Sequence, residues 1–122
     1  MTGREHIHRV TATLAARRAI AGLRARGGPV MFVQSAGCRG GSAPMCFRRG
    51  EFLLGDNDVL LGNVAGCPFY IDRQLDNAWG RPRLVLDVAP GFADGFSLPA
   101  GTGRHFVVRT VSGPGPGGGK RS

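Results

Sequence analysis

The spacing of apolar residues changes from a helical period to a strand period near residue 28. Within Val10–Arg26 the apolar positions recur at steps of four and three, which predicts one long amphipathic helix. These positions are Ala16, Ile20 and Leu23. Hydroxyls that could accept the first free N–H groups of the helix are present at Thr11 and Thr13. The pair Gly27–Gly28 predicts the end of the helix.

Short apolar runs separated by turn residues follow this helix, and they predict strands. The predicted strands are Val30–Gln34, Glu51–Leu54, Val59–Leu61, Phe69–Asp72, Leu84–Val88, Phe96–Leu98 and His105–Val111. Gln74–Trp79 has the composition of a short helical turn, with Trp79 as a packing anchor. The order of elements predicts an α+β fold: one long N-terminal helix packed on a compact, mostly antiparallel β system.

The length and the composition of the C-terminus set the domain organisation. A chain of 122 residues with 42% hydrophobic residues is long enough to bury a core as one unit. We therefore predict a single globular domain over residues 1–111. The remaining segment, Ser112–Ser122, is rich in Gly and Pro and is predicted to be a disordered tail.

Targeting signals and cysteine usage favour a cytoplasmic protein. No apolar run approaches the roughly 18 residues of a membrane span, and the N-terminus lacks the apolar core of a signal peptide. The three cysteines, Cys38, Cys46 and Cys67, are odd in number, and a reducing compartment disfavours disulfides. Buried thiols, a reactive thiol and metal ligands all remain open for them.

The net charge of +8 raises the question of nucleic acid as a partner. Fifteen of the sixteen basic residues are arginines, however, and they are scattered from Arg4 to Arg121 instead of clustered. One Trp and one Tyr do not make a stacking platform for bases. We therefore predict no specific nucleic-acid partner and no membrane partner. The oligomeric state is left open.

The segment Gly37–Cys46 contains the residues of the chain that are best suited to ligand binding. It follows a predicted strand, and its glycines free the backbone to turn peptide N–H groups toward a ligand. The residues assigned to a ligand- or anion-binding loop are Gly37, Arg39, Gly40, Gly41 and Ser42. The loop is not a Walker loop, because no Gly-Lys-Ser/Thr sequence ends it. A purely structural Gly-rich connection is the competing interpretation.

The same loop supplies two thiols, so a metal site is an alternative to an anion site. Arg39 beside Cys38 would lower the pKa of that thiol and favour the thiolate. Thiolates suit zinc or iron, and the predicted ligands are Cys38, Cys46, Cys67 and His105. The eight-residue step from Cys38 to Cys46 differs from the two to four residues typical of structural zinc knuckles. The positive charge of Arg39 disfavours a cation and suits an anion.

Several segments resemble the bacterial family called domain of unknown function 779. The most specific is Ser42-Ala43-Pro44-Met45-Cys46, and the resemblance extends over Val10–Val111. Members of this family are often encoded beside aldehyde or alcohol dehydrogenases, which implies such an enzyme as a partner. The family usually has Gly-Cys-Cys-Asp-Gly-Ser at the loop. Here Arg39 stands in place of the second Cys and Gly40 in place of the Asp, which removes two potential metal ligands.

A fainter resemblance concerns the fold of the A-type iron–sulfur carrier (HesB-like) domains. Thr13-Leu14-Ala15-Ala16, Gly37-Cys38-Arg39-Gly40 and Gly95-Phe96 are similar to segments of those carriers. The resemblance implies a HesB-like layout. The carriers also have a C-terminal Cys-x-Cys pair, and no Cys follows Cys67 here. The resemblance therefore implies a fold and not cluster transfer.

Two functional classes follow from these observations. The first is a metal- or anion-binding accessory protein that acts through the Gly37–Cys46 loop and is linked to aldehyde or alcohol oxidation. The second is a small thiol-dependent enzyme or redox protein that uses Cys38 or Cys46. An enzyme needs a general base near the sulfur, and His105 is the one obvious candidate. A binding role needs only convergent donors, so binding is the favoured prediction.

Overall fold

A computed structural model describes residues 9–37, 42–92, 97–101 and 103–111. Within them, seven strands and two helices follow one another along the chain. The elements are β1 (Val10–Ala12), α1 (Leu14–Gly27), β2 (Val30–Gln34), β3 (Met45–Arg48), β4 (Asp58–Val64), β5 (Cys67–Asp72), α2 (Arg73–Ala78), β6 (Arg83–Pro90) and β7 (Arg104–Val111).

The strands form two sheets, and each sheet contains one parallel pair. The three-stranded sheet has the order β1-β6-β7, and the four-stranded sheet has the order β3-β2-β5-β4. β1 runs parallel to β6, and β2 runs parallel to β5, whereas the other three pairings are antiparallel. Chain segments distant in sequence therefore meet at the centre of each sheet.

Backbone hydrogen bonds join the two sheets at both of their edges. At one edge, the N–H of Arg9 donates to the carbonyl of Leu61 at 3.1 Å, and the Arg9 carbonyl accepts from Leu84 at 2.7 Å. At the other edge, Ser42 and Val108 exchange N–H···O bonds of 3.2 and 2.7 Å. The two sheets thus enclose one shared core, and the segment that begins with Ser42 is tied to the three-stranded sheet.

Three phenylalanines from both sheets meet at the centre of this core. The ring of Phe32 stacks on Phe69 with centroids 5.8 Å apart and meets Phe106 edge-on at 5.0 Å. Trp79 is also buried, as predicted for a packing anchor. The helix α1 adds its buried face, with the spacing that the sequence predicts. These residues are Ala16, Ala19, Ile20 and Leu23.

The predicted fold, one long N-terminal helix packed on a compact, mostly antiparallel β system, is wrong, whereas the HesB-like resemblance stays a prediction. The described residues of the chain are rich in strands and form two sheets, and the helices among them are short, with 14 and 6 residues. The predicted helix Val10–Arg26 begins too early, because Val10–Ala12 is the strand β1. Val10 and Thr11 are β-branched and fit a strand, and Thr13 caps the helix by accepting from Ala16 N–H at 3.1 Å.

Strand positions were predicted with mixed success. Val30–Gln34 is confirmed as β2, and α2 confirms the predicted helical turn. Glu51–Leu54 is not a strand, because the chain turns directly after β3, where the N–H of Glu51 donates to the carbonyl of Arg48 at 3.0 Å. Ser97 and Leu98 also lie outside any strand, while Phe96 and the predicted disordered tail Ser112–Ser122 lie outside the described residues.

Candidate functional site

A fully buried glutamine holds the base of the Gly37–Cys46 loop. Gln34 is the last residue of β2 and is 0% exposed. Its side-chain amide donates one hydrogen to the carbonyl of Ala36 and the other to the hydroxyl of Ser42, at 3.0 Å for the second bond. The acceptor Oε1 of Gln34 has no donor among the residues that the structure describes. The amide therefore uses both of its hydrogens to close the loop on itself.

Gly37 and Ser42 are pressed together beside this glutamine. Gly37 has φ 117°, and a Cβ atom placed there would lie 2.4 Å from the Cβ of Ser42. No side chain fits in this space, so glycine is required by sterics as well as by its backbone angle. We call Gln34, Gly37 and Ser42 the loop neck. The neck brings together two residues of the predicted binding loop, Gly37 and Ser42, and their role in binding stays a prediction.

The neck is fixed to the three-stranded sheet as well as to β2. Ser42 makes both backbone hydrogen bonds of its pairing with Val108. Three residues farther along, β3 begins, and the N–H of Cys46 donates to the Ser97 hydroxyl at 2.8 Å. The two ends of the loop are therefore anchored in different sheets. Four predicted site residues between them lie outside the described part of the chain: Cys38, Arg39, Gly40 and Gly41.

Cys46 and Cys67 lie in the core instead of at the surface. Both are 0% exposed and free of disulfide bonds. Burial, and to a smaller extent the neighbouring Cys67, raise the pKa of Cys46 to about 12, although Arg48 acts in the opposite direction. Cys46 is thus a neutral thiol near pH 7, and a neutral thiol is a poor nucleophile.

His105 lies on the opposite face of its strand from the buried thiols. The neighbouring residues Phe106 and Val108 point into the core, so the alternation of β7 turns His105 outward. The ring packs against Gly91, where an added Cβ would lie 3.0 Å from Nδ1. Among the described residues, the one histidine, His105, thus faces away from Cys46, although it was the base candidate for a thiol enzyme.

The four predicted metal ligands are accordingly distributed over three places. Cys46 and Cys67 share the core, His105 lies on an outer face, and Cys38 is outside the described residues. Within the described ranges, no group of three or more His, Cys, Asp or Glu side chains is arranged to hold a metal ion. The zinc or iron site stays a prediction that depends on Cys38.

A second concave site lies between α1 and the turn that precedes β7. It is a groove of about 400 Å³ with three arginines at its rim, Arg18, Arg26 and Arg104. Small residues form the rest of its wall: Ala15, Ala19, Gly22, Ala100 and Gly101. We call this site the arginine groove. Sequence analysis missed it, because Arg104 is distant from α1 in the chain, although the spacing of Arg18, Gly22 and Arg26 places them on one helical face.

The role of Gln34 was also not predicted from the sequence. This residue was assigned only to a strand, yet it is the one polar residue at the end of an otherwise apolar run, Val30–Gln34. A lone amide in a buried strand needs hydrogen-bond partners, and this requirement is the available signal for a structured loop directly after it.

Among the described helices, none is long and apolar enough to cross a membrane.

Comparison with known proteins gives one family. The family described as "Domain of unknown function (DUF779)" matches residues 19–111, which include the loop neck and most of the arginine groove. No curated protein and no solved structure matches the chain.

Proposed function

The chain belongs to the DUF779 family, and we propose that it is an accessory protein that binds a small anion through the Gly37–Cys46 loop. The loop neck carries this proposal. Gln34 is completely buried, and both of its amide hydrogens are used to hold the two ends of the loop together. A buried polar network of this kind costs desolvation unless its hydrogen bonds are made, so it fixes one geometry.

The chemistry of the loop favours an anion over a metal cation. Glycine-rich segments turn peptide N–H groups toward a ligand, and successive N–H groups form a concave surface for anions. The sequence places Arg39 and two glycines between the anchored residues Gly37 and Ser42. Arg39 is a permanent cation with several donors, and it suits a carboxylate or phosphate oxygen.

The alternative function, a thiol-dependent enzyme, is less well supported for Cys46. Its thiol is fully buried, and its pKa is raised to about 12, so the nucleophilic thiolate is scarce at neutral pH. Cys38 is the remaining candidate nucleophile. The Cys38→Ser variant in the experiment below tests whether acetate binding depends on this thiol.

A small carboxylate is the anion that we propose. The resemblance to a family often encoded beside aldehyde dehydrogenases links the protein to aldehyde oxidation, whose product is a carboxylate. Acetate is the simplest probe of this class. An aldehyde or alcohol dehydrogenase is the proposed partner, and co-purification of an aldehyde dehydrogenase with the tagged protein, with the Leu53→Ser protein as a surface control, tests that part.

The experiment is a titration of the isotope-labelled protein with sodium acetate, followed by the amide NMR signals of Gly37 and Ser42. We expect saturable shifts with a dissociation constant on the order of 1 mM. Sodium chloride at the same ionic strength should not reproduce them. Arg39→Gln should abolish most of the shift, whereas Arg49→Gln removes the same charge from the other end of β3 and should leave it intact.

Two outcomes would contradict the proposal. One is the absence of any saturable acetate shift at the loop neck. The other is stoichiometric binding of zinc chloride that is lost in Cys38→Ser, because this would assign the loop to a metal. Retention of the acetate shifts in Cys38→Ser would support binding over thiol chemistry.

A further inference from the structure

We propose that the arginine groove is a second, separate binding site, and that it takes a small non-aromatic phosphate monoester. The groove does not include the loop neck and does not depend on the function proposed for it. Three arginines, Arg18, Arg26 and Arg104, line one cavity of about 400 Å³. Cavities that hold small ligands begin at about this size.

The charge of the groove is not compensated within the described residues. The described residues form two ion pairs, Arg9–Asp76 and Arg109–Asp87, and neither pair includes an arginine of the groove. Among the residues that the structure describes, no carboxylate lines the groove. Three neighbouring like charges repel one another, so an anion that enters between them relieves the repulsion.

Glycines on both walls make room for the guanidinium groups. A Cβ at Gly22 would lie 3.3 Å from Nη1 of Arg26, and a Cβ at Gly101 would lie 3.0 Å from Nη2 of Arg104. Each of these arginines therefore folds back over a glycine of its own wall. Buried Ala19 and Ala100 form the apolar part of the lining. The cations are thus held over a small, uncharged surface.

These features indicate a phosphoryl group on a compact carrier. Planar guanidinium groups bind phosphate oxygens in pairs, and several of them match a dianion. No aromatic side chain of the described ranges lines the groove, so a nucleobase would find no stacking partner among them. The single concave cavity also differs from the extended basic stripe that follows a nucleic-acid backbone. A sugar phosphate or glycerol phosphate fits this chemistry best.

The test compares the binding of glucose 6-phosphate in the full chain and in charge-matched variants, measured by calorimetry and by amide NMR shifts of Gly22 and Gly101. Arg18→Gln/Arg26→Gln should weaken binding by at least about tenfold, as expected for the loss of charge-assisted contacts. Arg17→Gln/Arg49→Gln removes the same charge elsewhere and should change binding by less than about twofold.

A second pair of variants separates the shape of the groove from its charge. Gly22→Leu keeps all three arginines and improves helix propensity, but its side chain fills the groove, so binding should be lost in a stable protein. Ala25→Leu places the same side chain on an exposed position of α1 outside the groove and should bind normally. Normal binding by Gly22→Leu would overturn the site.

The choice of ligand decides the class of partner. Glucose should not bind, and inorganic phosphate should bind more weakly than glucose 6-phosphate. Equal binding of inorganic phosphate would overturn the assignment to a monoester. Tighter binding of a ten-residue thymidine oligonucleotide, lost in Arg18→Gln/Arg26→Gln, would overturn it in favour of a nucleic acid. Binding of glucose 6-phosphate that remains in Arg39→Gln separates this site from the loop.

Discussion

The two loops on either side of β3 are built in opposite ways. The neck loop, residues 35–44, is anchored by the fully buried amide of Gln34 and by the backbone pairing of Ser42 with Val108. The β3–β4 loop, residues 49–57, buries no polar side chain. Its first turn is held locally by the Glu51 carboxylate, which accepts from Arg48 N–H at 3.1 Å, and its ends are held by backbone bonds of Arg49 to Pro29 and of Arg73 to Asn57. The loop leaves Leu53 90% exposed.

This difference distinguishes a loop that the fold holds in one geometry from a loop that only joins two strands. Burying an amide and a hydroxyl is unfavourable unless each hydrogen bond is made, so a chain gains little from such a neck if it only reverses direction. The β3–β4 loop reverses direction with a local turn and the stacking of Phe52 on Phe47. The neck loop is therefore the place where the fold fixes a particular geometry.

The largest expected effect comes from the glycine of each loop. Gly37→Ala should destabilise the protein by about 3 kcal/mol or more, because it adds backbone strain and a clash with the Cβ of Ser42. Gly50→Ala is the matched control, since Gly50 also has a positive φ, 95°, but has open space around its Cα. It should cost about 1 kcal/mol. Equal costs in urea unfolding would remove the distinction between the loops.

The next effect concerns the amide of the neck. Gln34→Leu keeps the volume but leaves the Ala36 carbonyl and the Ser42 hydroxyl without their donor, and should cost about 2 kcal/mol. In a double-mutant cycle with Ser42→Ala, the two changes should be coupled by about 1 kcal/mol. Additive costs would mean that Gln34 does not act through Ser42.

The strand between the two loops, β3, carries Cys46, and the burial of this thiol can be tested by the dependence of stability on pH. The pKa of Cys46 is raised to about 12 in the folded protein, from an ordinary value of 9.0. The unfolded thiol therefore ionises first, and its contribution to stability, fully present below pH 9.0, is lost as the pH rises toward 12. The slope is about 1.4 kcal/mol per pH unit.

Urea unfolding at pH 8, 10 and 11 measures this slope, and Cys46→Ala is the control. Every other titrating group is common to both proteins, so the difference between their slopes isolates the thiol. Parallel slopes would show that Cys46 is accessible to solvent in the native state, and would bring a thiol function at the end of the neck loop back into consideration.

The smallest expected effect lies at the tip of the β3–β4 loop. Leu53→Ser should change the free energy of unfolding by less than about 0.5 kcal/mol, because the side chain is 90% exposed. Thermal unfolding measured by circular dichroism is sufficient to test this. A loss of more than about 1 kcal/mol would indicate that Leu53 is covered in solution and that this loop is also held in one geometry.

Local features of the fold were predictable from the sequence, and the pairing of strands was not. The helix stop at Gly28, the cap at Thr13 and the strand β2 follow from residue types and spacing. β1 has only three residues and lies directly before the cap, so it merged into the predicted helix. Its partner, β6, lies on the far side of α2, and no local pattern indicates a parallel pairing over that distance.

The candidate sites likewise have local features that the sequence predicts and spatial features that it does not predict. The loop was found because Gly, Cys and Ser are adjacent in sequence, and its two described ends, Gly37 and Ser42, do meet. The burial of Cys46 was not predictable, because the sequence does not show which face of β3 points inward. The arginine groove was not predictable, because it exists only once the turn before Arg104 has packed against α1.

The parallel pairing of β1 with β6 has a consequence for the order in which the chain assembles. Val10 pairs with Leu84, and Arg9 bonds to both Leu61 and Leu84, so the first strand cannot be placed until most of the protein exists. At synthesis rates of about 5–20 residues per second, β1 waits for several seconds on the ribosome. Contacts of such long sequence separation slow folding, so closure of the two sheets is expected to be a late step.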